Sequence, residues 1–235
     1  MIKQILLAGL MLSCGRGFGQ EIIAHWDFSK GKIDTVDGKF KMRFRGNTRI
    51  AGPEGKQYLE VGVNNNDKPE GIIALKKYPE LTPKGAFRLE ITARLRERIE
   101  PKSACFWDTH YHMNPKNAEP NKKKGLIFSL LREKSGKFRP QAGFGFAQSL
   151  EMAYGKLIEL EKGKNFTIAV EYDGVKKVSF FLNGELNRSV TLKNGGSLSE
   201  AVYPVVIGDR YGSIYRRFDG QILEVKLTAL PSPVK

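Results

Sequence analysis

Asp108-Thr109-His110-Tyr111-His112 carries the residue types that best suit a metal ion. On a strand, His110 and His112 would turn both rings to one face, because side chains alternate with period two, and Asp108 would join them. Three nitrogen and oxygen donors of that kind suit a zinc-type ion. The competing reading is a loop with two exposed histidines, and it is the stronger one because no fourth ligand is identifiable. The stretch Arg210-Tyr211-Gly212-Ser213-Ile214-Tyr215-Arg216-Arg217 suits a different chemistry. Tyrosine rings offer flat apolar faces for a sugar ring. Guanidinium groups take a carboxylate or sulfate through two parallel hydrogen bonds. Trp107 and Tyr111 form a second aromatic group, with the lysines at 122–124 close by in sequence. The candidate ligand-binding residues are therefore Arg210, Tyr211, Tyr215, Arg216, Arg217, Trp107 and Tyr111. The opposing reading makes the tyrosines rim packing with a wet hydroxyl.

Catalysis on a glycosidic bond needs two carboxylates about 5–10 Å apart. Glu90 stands alone among Arg88, Thr92, Arg94 and Arg96, and Glu224 stands alone between Leu223 and Val225. No catalytic residue is assigned, and the balance is against an enzyme.

The elements that must carry these residues are read from period-two alternation. Phe40, Met42 and Phe44 alternate with Lys41, Arg43 and Arg45. Phe87, Leu89, Ile91, Ala93 and Leu95 alternate with Arg88, Glu90, Thr92, Arg94 and Arg96. Phe166, Ile168, Val170 and Tyr172 alternate with Thr167, Ala169 and Glu171. Each is a strand with one buried and one wet face. Further strands are expected at Ile22–Phe28, Tyr58–Val61, Gly71–Leu75, Leu126–Leu131, Gly143–Gln148, Val178–Leu182, Pro204–Ile207 and Gln221–Thr228. Asp173-Gly174 and Asn183-Gly184 are turn dipeptides at strand ends. Many short strands with glycine-rich turns and no amphipathic helix predict an all-β sandwich. The polar segment 97–125, with three prolines and two of the three histidines, reads as a long insertion.

The 235 residues fit one domain. Residues 1–19 read as a signal peptide: Lys3, an apolar run from Ile5 to Cys14, then Gly17-Phe18-Gly19 before a cut at Gln20. The rival is a lipid anchor at Cys14 within Met11-Leu12-Ser13-Cys14, which fits less well because of Leu12 and Met11. The expected location is therefore secreted, periplasmic or cell-surface, with no transmembrane segment. Cleavage leaves Cys105 as the one cysteine, flanked by apolar residues, and its thiol is expected to be buried. The formal charge of +14 attracts polyanions. Export favours an acidic polysaccharide over nucleic acid as the partner. A basic surface that binds nothing is the alternative.

His25-Trp26-Asp27-Phe28 followed by Asp34 and Asp37-Gly38 resembles the opening strand of laminin-G-like jelly rolls. Phe87 to Arg94 is similar to their central strand, which presents a polar concave face. Phe166 to Gly174, then Val178 to Gly184, resembles their aromatic-x-x-hydrophobic-Val-x-Tyr-Asp-Gly hairpin. Val206-Ile207-Gly208-Asp209 and Phe218 to Val225 resemble their closing strands. The resemblance to this branch of the concanavalin A-like superfamily implies a two-sheet antiparallel jelly-roll sandwich over residues 20–235. It also implies calcium as the one candidate cofactor, with Asp27, Asp34, Asp37, Asp67, Asp209 and Asp219 as oxygen donors. The Glu-x-Asp-x-x-Glu run of the glucanases and the Gln-hydrophobic-His motif of the alginate lyases of this fold are both absent. The fold hosts lectins, hydrolases, lyases and spacers alike, so function does not follow from it. The leading expectation is a carbohydrate-binding or adhesion domain. The alternatives are a polysaccharide-active enzyme with scattered catalytic residues, or a structural or protein-interaction module. A groove lined by Arg88–Arg96 and closed by 97–125 would favour the first two.

Overall fold

The computed structural model describes residues 20–62, 69–96, 103–110, 124–211 and 218–231. The first strands are β1 (Glu21–Asp27), β2 (Met42–Phe44), β3 (Arg49–Ala51), β4 (Tyr58–Val61) and β5 (Ile72–Ala74). The middle of the chain gives β6 (Phe87–Leu95), β7 (Ser103–Asp108), β8 (Leu126–Arg132), β9 (Phe138–Gly145) and β10 (Leu150–Tyr154). The last are β11 (Asn165–Tyr172), β12 (Lys177–Leu182), β13 (Glu185–Thr191), β14 (Val206–Ile207) and β15 (Gly220–Ala229). They form two antiparallel sheets. One runs β13-β12-β11-β6-β15-β4-β3 with β1 also on β15; the other runs β10-β9-β8-β7-β14-β5-β2. This is the two-sheet sandwich that the alternation predicts.

β6 shows why. Phe87, Leu89, Ile91, Ala93 and Leu95 are buried, and the residues between them are half-exposed. β11 pairs with it in register, Ile168 opposite Ile91 and Val170 opposite Leu89, so both strands aim their apolar sets into the same space. Each fully buried side chain of this size contributes about 1.5–3 kcal/mol. The opposite sheet answers with Phe106, Phe128 and Phe144, and Phe106 meets both Phe166 and Phe218 across the core. Trp26 sits edge-on to Trp107 at 5.9 Å. Cys105 is buried, as its apolar neighbours predict.

The turns follow local chemistry. Asn183 and Gly184 both have positive φ (51° and 84°), the combination a two-residue hairpin needs between β12 and β13. Asp173 Oδ1 accepts the N–H groups of Val175, Lys176 and Lys177, closing the β11–β12 turn.

One expectation needs correction. The segment 97–125 is not wholly a polar insertion: β7 lies inside it, central in its sheet between β8 and β14. The two parts that flank β7, 97–102 and 111–123, lie outside the described residues. Arg88–Leu95 lie on β6, in the sheet opposite β7. β7 and β8, which bracket 111–123, belong to the sheet opposite β6.

Candidate functional site

Asp108 ends β7 on the outer face of the second sheet. A register shift between Cys105 and Trp107 puts the consecutive residues Phe106 and Trp107 both into the core. Asp108 then pairs with Ile127 on one side and Val206 on the other, and Val206 with Ile73. Ile73, Val206 and Ile127 are buried, yet none belongs to the core between the sheets. The outer face is thus covered at this row.

Asp108 itself is fully buried. Its Oδ1 accepts the His110 N–H at 2.7 Å and its Oδ2 the Tyr211 N–H at 2.9 Å, while Arg210 Nε stands 3.8 Å from Oδ2. Burial pushes the carboxyl up to about 7; Arg210 and the two N–H groups offset only part of that, and Asp209 adds to the rise. The segment after β14 is held at further points. Phe218 N–H donates to Gly208 O at 2.8 Å. Asp209 accepts the N–H groups of Glu70 and Arg210, and Arg45 Nη1 donates to Arg210 O at 3.3 Å. Burial pulls Arg45 below its ordinary value against the opposing pull of Asp209, Tyr211 and Asp108.

What this anchorage presents is a pair of rings. Tyr211 stacks on Tyr203 with centroids 4.6 Å apart and an interplanar angle of 29°, and both side chains are half-buried. Tyr203 had no signal in the sequence, where it stands alone between Val202 and Pro204. Arg210 points inward to Asp108, its side chain only 11% exposed, so it positions the loop and does not offer its guanidinium outward. Trp107, expected to bind ligand, is a core residue with no exposed surface. Its consecutive-inward placement at the bulge is the reason. Tyr111, Tyr215, Arg216, Arg217 and His112 lie outside the described residues, as do Lys122 and Lys123.

Among the described residues the metal reading finds no set of donors. Both Asp108 oxygens are engaged as above, and His110 Nδ1 lies 2.6 Å from Lys124 O in the neck that closes on 111–123. Among the described residues no three His, Cys, Asp or Glu side chains group to hold a metal. The calcium candidates have other work. Asp27 accepts from Ser29, Asp34 from Met42 N–H and Lys41, Asp37 from Thr35 and Lys39 N–H, and Asp219 from Arg96. Asp67 lies outside the described residues.

The other outer face, on the sheet of β6, is a lattice of neutralised charge. Arg88 bonds Glu90 and Glu171 and lies 4.7 Å over the Phe181 ring. Burial would lower its affinity for a proton, but the two carboxylates outweigh that and raise it. Arg96 bonds Asp219 and Glu60, and His25 meets Glu224 at 2.7 Å. Glu90 and Glu224, the carboxylates singled out from the sequence, are structural partners in it. A cavity of about 720 Å³ opens where β1 begins, between Ile22, Pro79, Glu80, Lys84 and Leu230. It has no aromatic lining and shares no residue with the Asp108 loop.

No family model matches the chain, and no curated protein matches it. Solved structures do. Domain 4 of AbnA, a GH43 extracellular arabinanase from Geobacillus stearothermophilus, in complex with arabinotriose, superposes with a TM-score of 0.61 at 16% identity. That match covers 89% of this chain and 93% of that one. The binding domain of Paraclostridial Mosquitocidal Protein 1 gives 0.60 at 11%, over 90% and 50% of the two chains. The binding domain of botulinum neurotoxin DC in complex with SialylT gives 0.58 at 12%, over 88% and 47%. The chain thus spans about half the length of the toxin domains. At these identities the likeness is one of fold.

Proposed function

We propose that the protein is a carbohydrate-binding domain that takes an acidic polysaccharide at the Tyr203–Tyr211 pair, with the basic, aromatic sequence that follows Tyr211 contributing. The observation that carries this reading is the pair itself: two stacked, half-buried rings on either side of β14, with the Tyr211 backbone held by a fully buried carboxylate. A ring surface held in place in advance loses little entropy when a sugar stacks on it. Domains of this fold in complex with arabinotriose and with SialylT support the ligand class. The formal charge of +14, with Arg216 and Arg217 in the same loop sequence, supports the acidic character. The signal-peptide pattern of residues 1–19 agrees with a partner met after export. Asp108 is not proposed as an acid catalyst, because it has no exposed surface to offer a substrate.

The test is a glycan array spanning arabinans, uronic polymers and sulfated polymers, read at two salt concentrations. Binding to acidic polymers that weakens with salt is the expected result. Silence across all charged and neutral glycans would remove the reading and leave the protein-interaction alternative.

A further inference from the structure

The sandwich is open along one side. β13 ends the first sheet and β10 ends the second, and a cleft of about 380 Å³ lies between them. The sequence explains why the sheets do not close there. Glu185-Leu186-Asn187-Arg188-Ser189-Val190-Thr191 has no buried position, so no apolar face draws β13 down onto β10. Two polar ties hold the gap at fixed width. Glu151 on β10 accepts the N–H groups of Lys193 and Asn194 at 2.6 and 2.9 Å, and Asn187 Oδ1 on β13 accepts Lys156 N–H at 2.7 Å.

The lining has a definite chemistry. Its apolar lining comes from Met152, Ala153, Val190 and Leu192. Tyr154 is 39% exposed at its wall. Arg188 and Lys193 line it, both exposed, and neither forms an ion pair among the described residues. Lys176 reaches Lys193 O at 3.1 Å and adds a third cation at the margin. Glu151 is the one acid in the lining, and its carboxylate is occupied by the Lys193 and Asn194 N–H groups. The volume falls in the range of roughly 300–1,000 Å³ usual for small-ligand sites.

We propose that this seam is a second binding site, for an acidic oligosaccharide whose ring lies on Tyr154 and whose carboxylate or sulfate is taken by Arg188 and Lys193. It takes its ligand class from the reading above and shares no residue with that site. An apolar lining beside a flat ring accepts the C–H face of a sugar. Cations without an ion pair accept the anion without first breaking a salt bridge. A neutral sugar gains only the first of these terms.

The experiment is amide chemical-shift mapping of the full chain with tetragalacturonate, with maltotetraose as the uncharged control. Saturable shifts at Ala153–Gly155 and Arg188–Asn194 with the acidic probe, and much weaker ones with the neutral probe, are expected. Tyr154→Ala and the double variant Arg188→Glu/Lys193→Glu should each weaken the seam affinity about tenfold or more. Tyr154→Phe should keep it, since the ring remains. All these side chains are exposed, so the fold should persist. Tyr211→Ala should leave the seam shifts intact. Shifts at Tyr203 and Tyr211 with none at the seam would overturn this proposal and leave the first site standing. Shifts at the seam alone would do the reverse. Equal binding by wild type and Tyr154→Ala, or equal loss in Tyr154→Phe and Tyr154→Ala, would also overturn it.

Discussion

Asp108 is the residue on which the loop site turns. Burial pushes its carboxyl up to about 7 in the folded chain, from 3.8 when solvated. Between those values the folded state holds a proton that the unfolded state has released. Stability from this group is therefore full below about pH 4, declines as pH rises, and levels off above about 7. The span sets an upper bound of about 4 kcal/mol. Denaturant melts of wild type and Asp108→Asn at pH 5 and pH 8 should show the wild type losing ground to the variant at the higher pH. An unchanged difference would show that the buried carboxyl is ionised throughout. Much of this was hidden in the sequence. Asp108 drew notice as a metal ligand beside His110, and Arg210 as a ligand contact. Each instead faces the other, because the chain after β14 folds back over the end of β7. That proximity of residues 108 and 210 is a long-range fact with no local trace. Tyr203 was missed for the same reason, since only its stacking on Tyr211 gives it a role.

At the scale of elements, strands with one wet face were legible, and so were the wholly buried runs of β5, β8 and β14, while β3, β7, β10 and β13 were not. β4 and β6 match their expected bounds, and β11 begins one residue early, at Asn165. Their alternation survives because neither face is interrupted. β7 was read as insertion because Ala104-Cys105-Phe106-Trp107 shows no alternation, and the bulge between Cys105 and Trp107 is what removes it. β13 was missed because an exposed edge strand needs no apolar face. The same logic fixes where substitution hurts. Ile91→Ala, at the centre of β6, should cost about 2–5 kcal/mol by leaving a cavity. Gly184→Ala, at φ 84° in the β12–β13 turn, should cost about 1 kcal/mol or more from backbone strain alone. Thermal melts of both would check the ranking. If Gly184→Ala cost more than Ile91→Ala, the hairpin and not the inter-sheet core would be the limiting element.

Among the described residues, forty buried apolar side chains form one core, in a strongly basic chain. The core explains how the fold stands without a disulfide among the described residues. The surface charge is unevenly committed. On the outer face of the first sheet it is bound up with Glu60, Glu90, Glu171, Asp219 and Glu224. The sequence showed the arginines of that face with Glu90 among them, but not Glu60, Glu171 and Asp219, which arrive from β4, β11 and the residue before β15. Attraction of a polyanion should then combine a salt-sensitive part from the remaining cations with a part from ring stacking that salt hardly touches. The most direct test is calorimetric titration of wild type, Tyr211→Ala and Arg216→Ala with one uronic or sulfated polymer at low and moderate salt. Tyr211→Ala should lose about 1–2 kcal/mol at both salt concentrations, leaving the salt slope unchanged. Arg216→Ala should lose affinity and flatten the slope. Wild-type affinity and slope in both variants would contradict the assignment of saccharide binding to the loop that Asp108 holds.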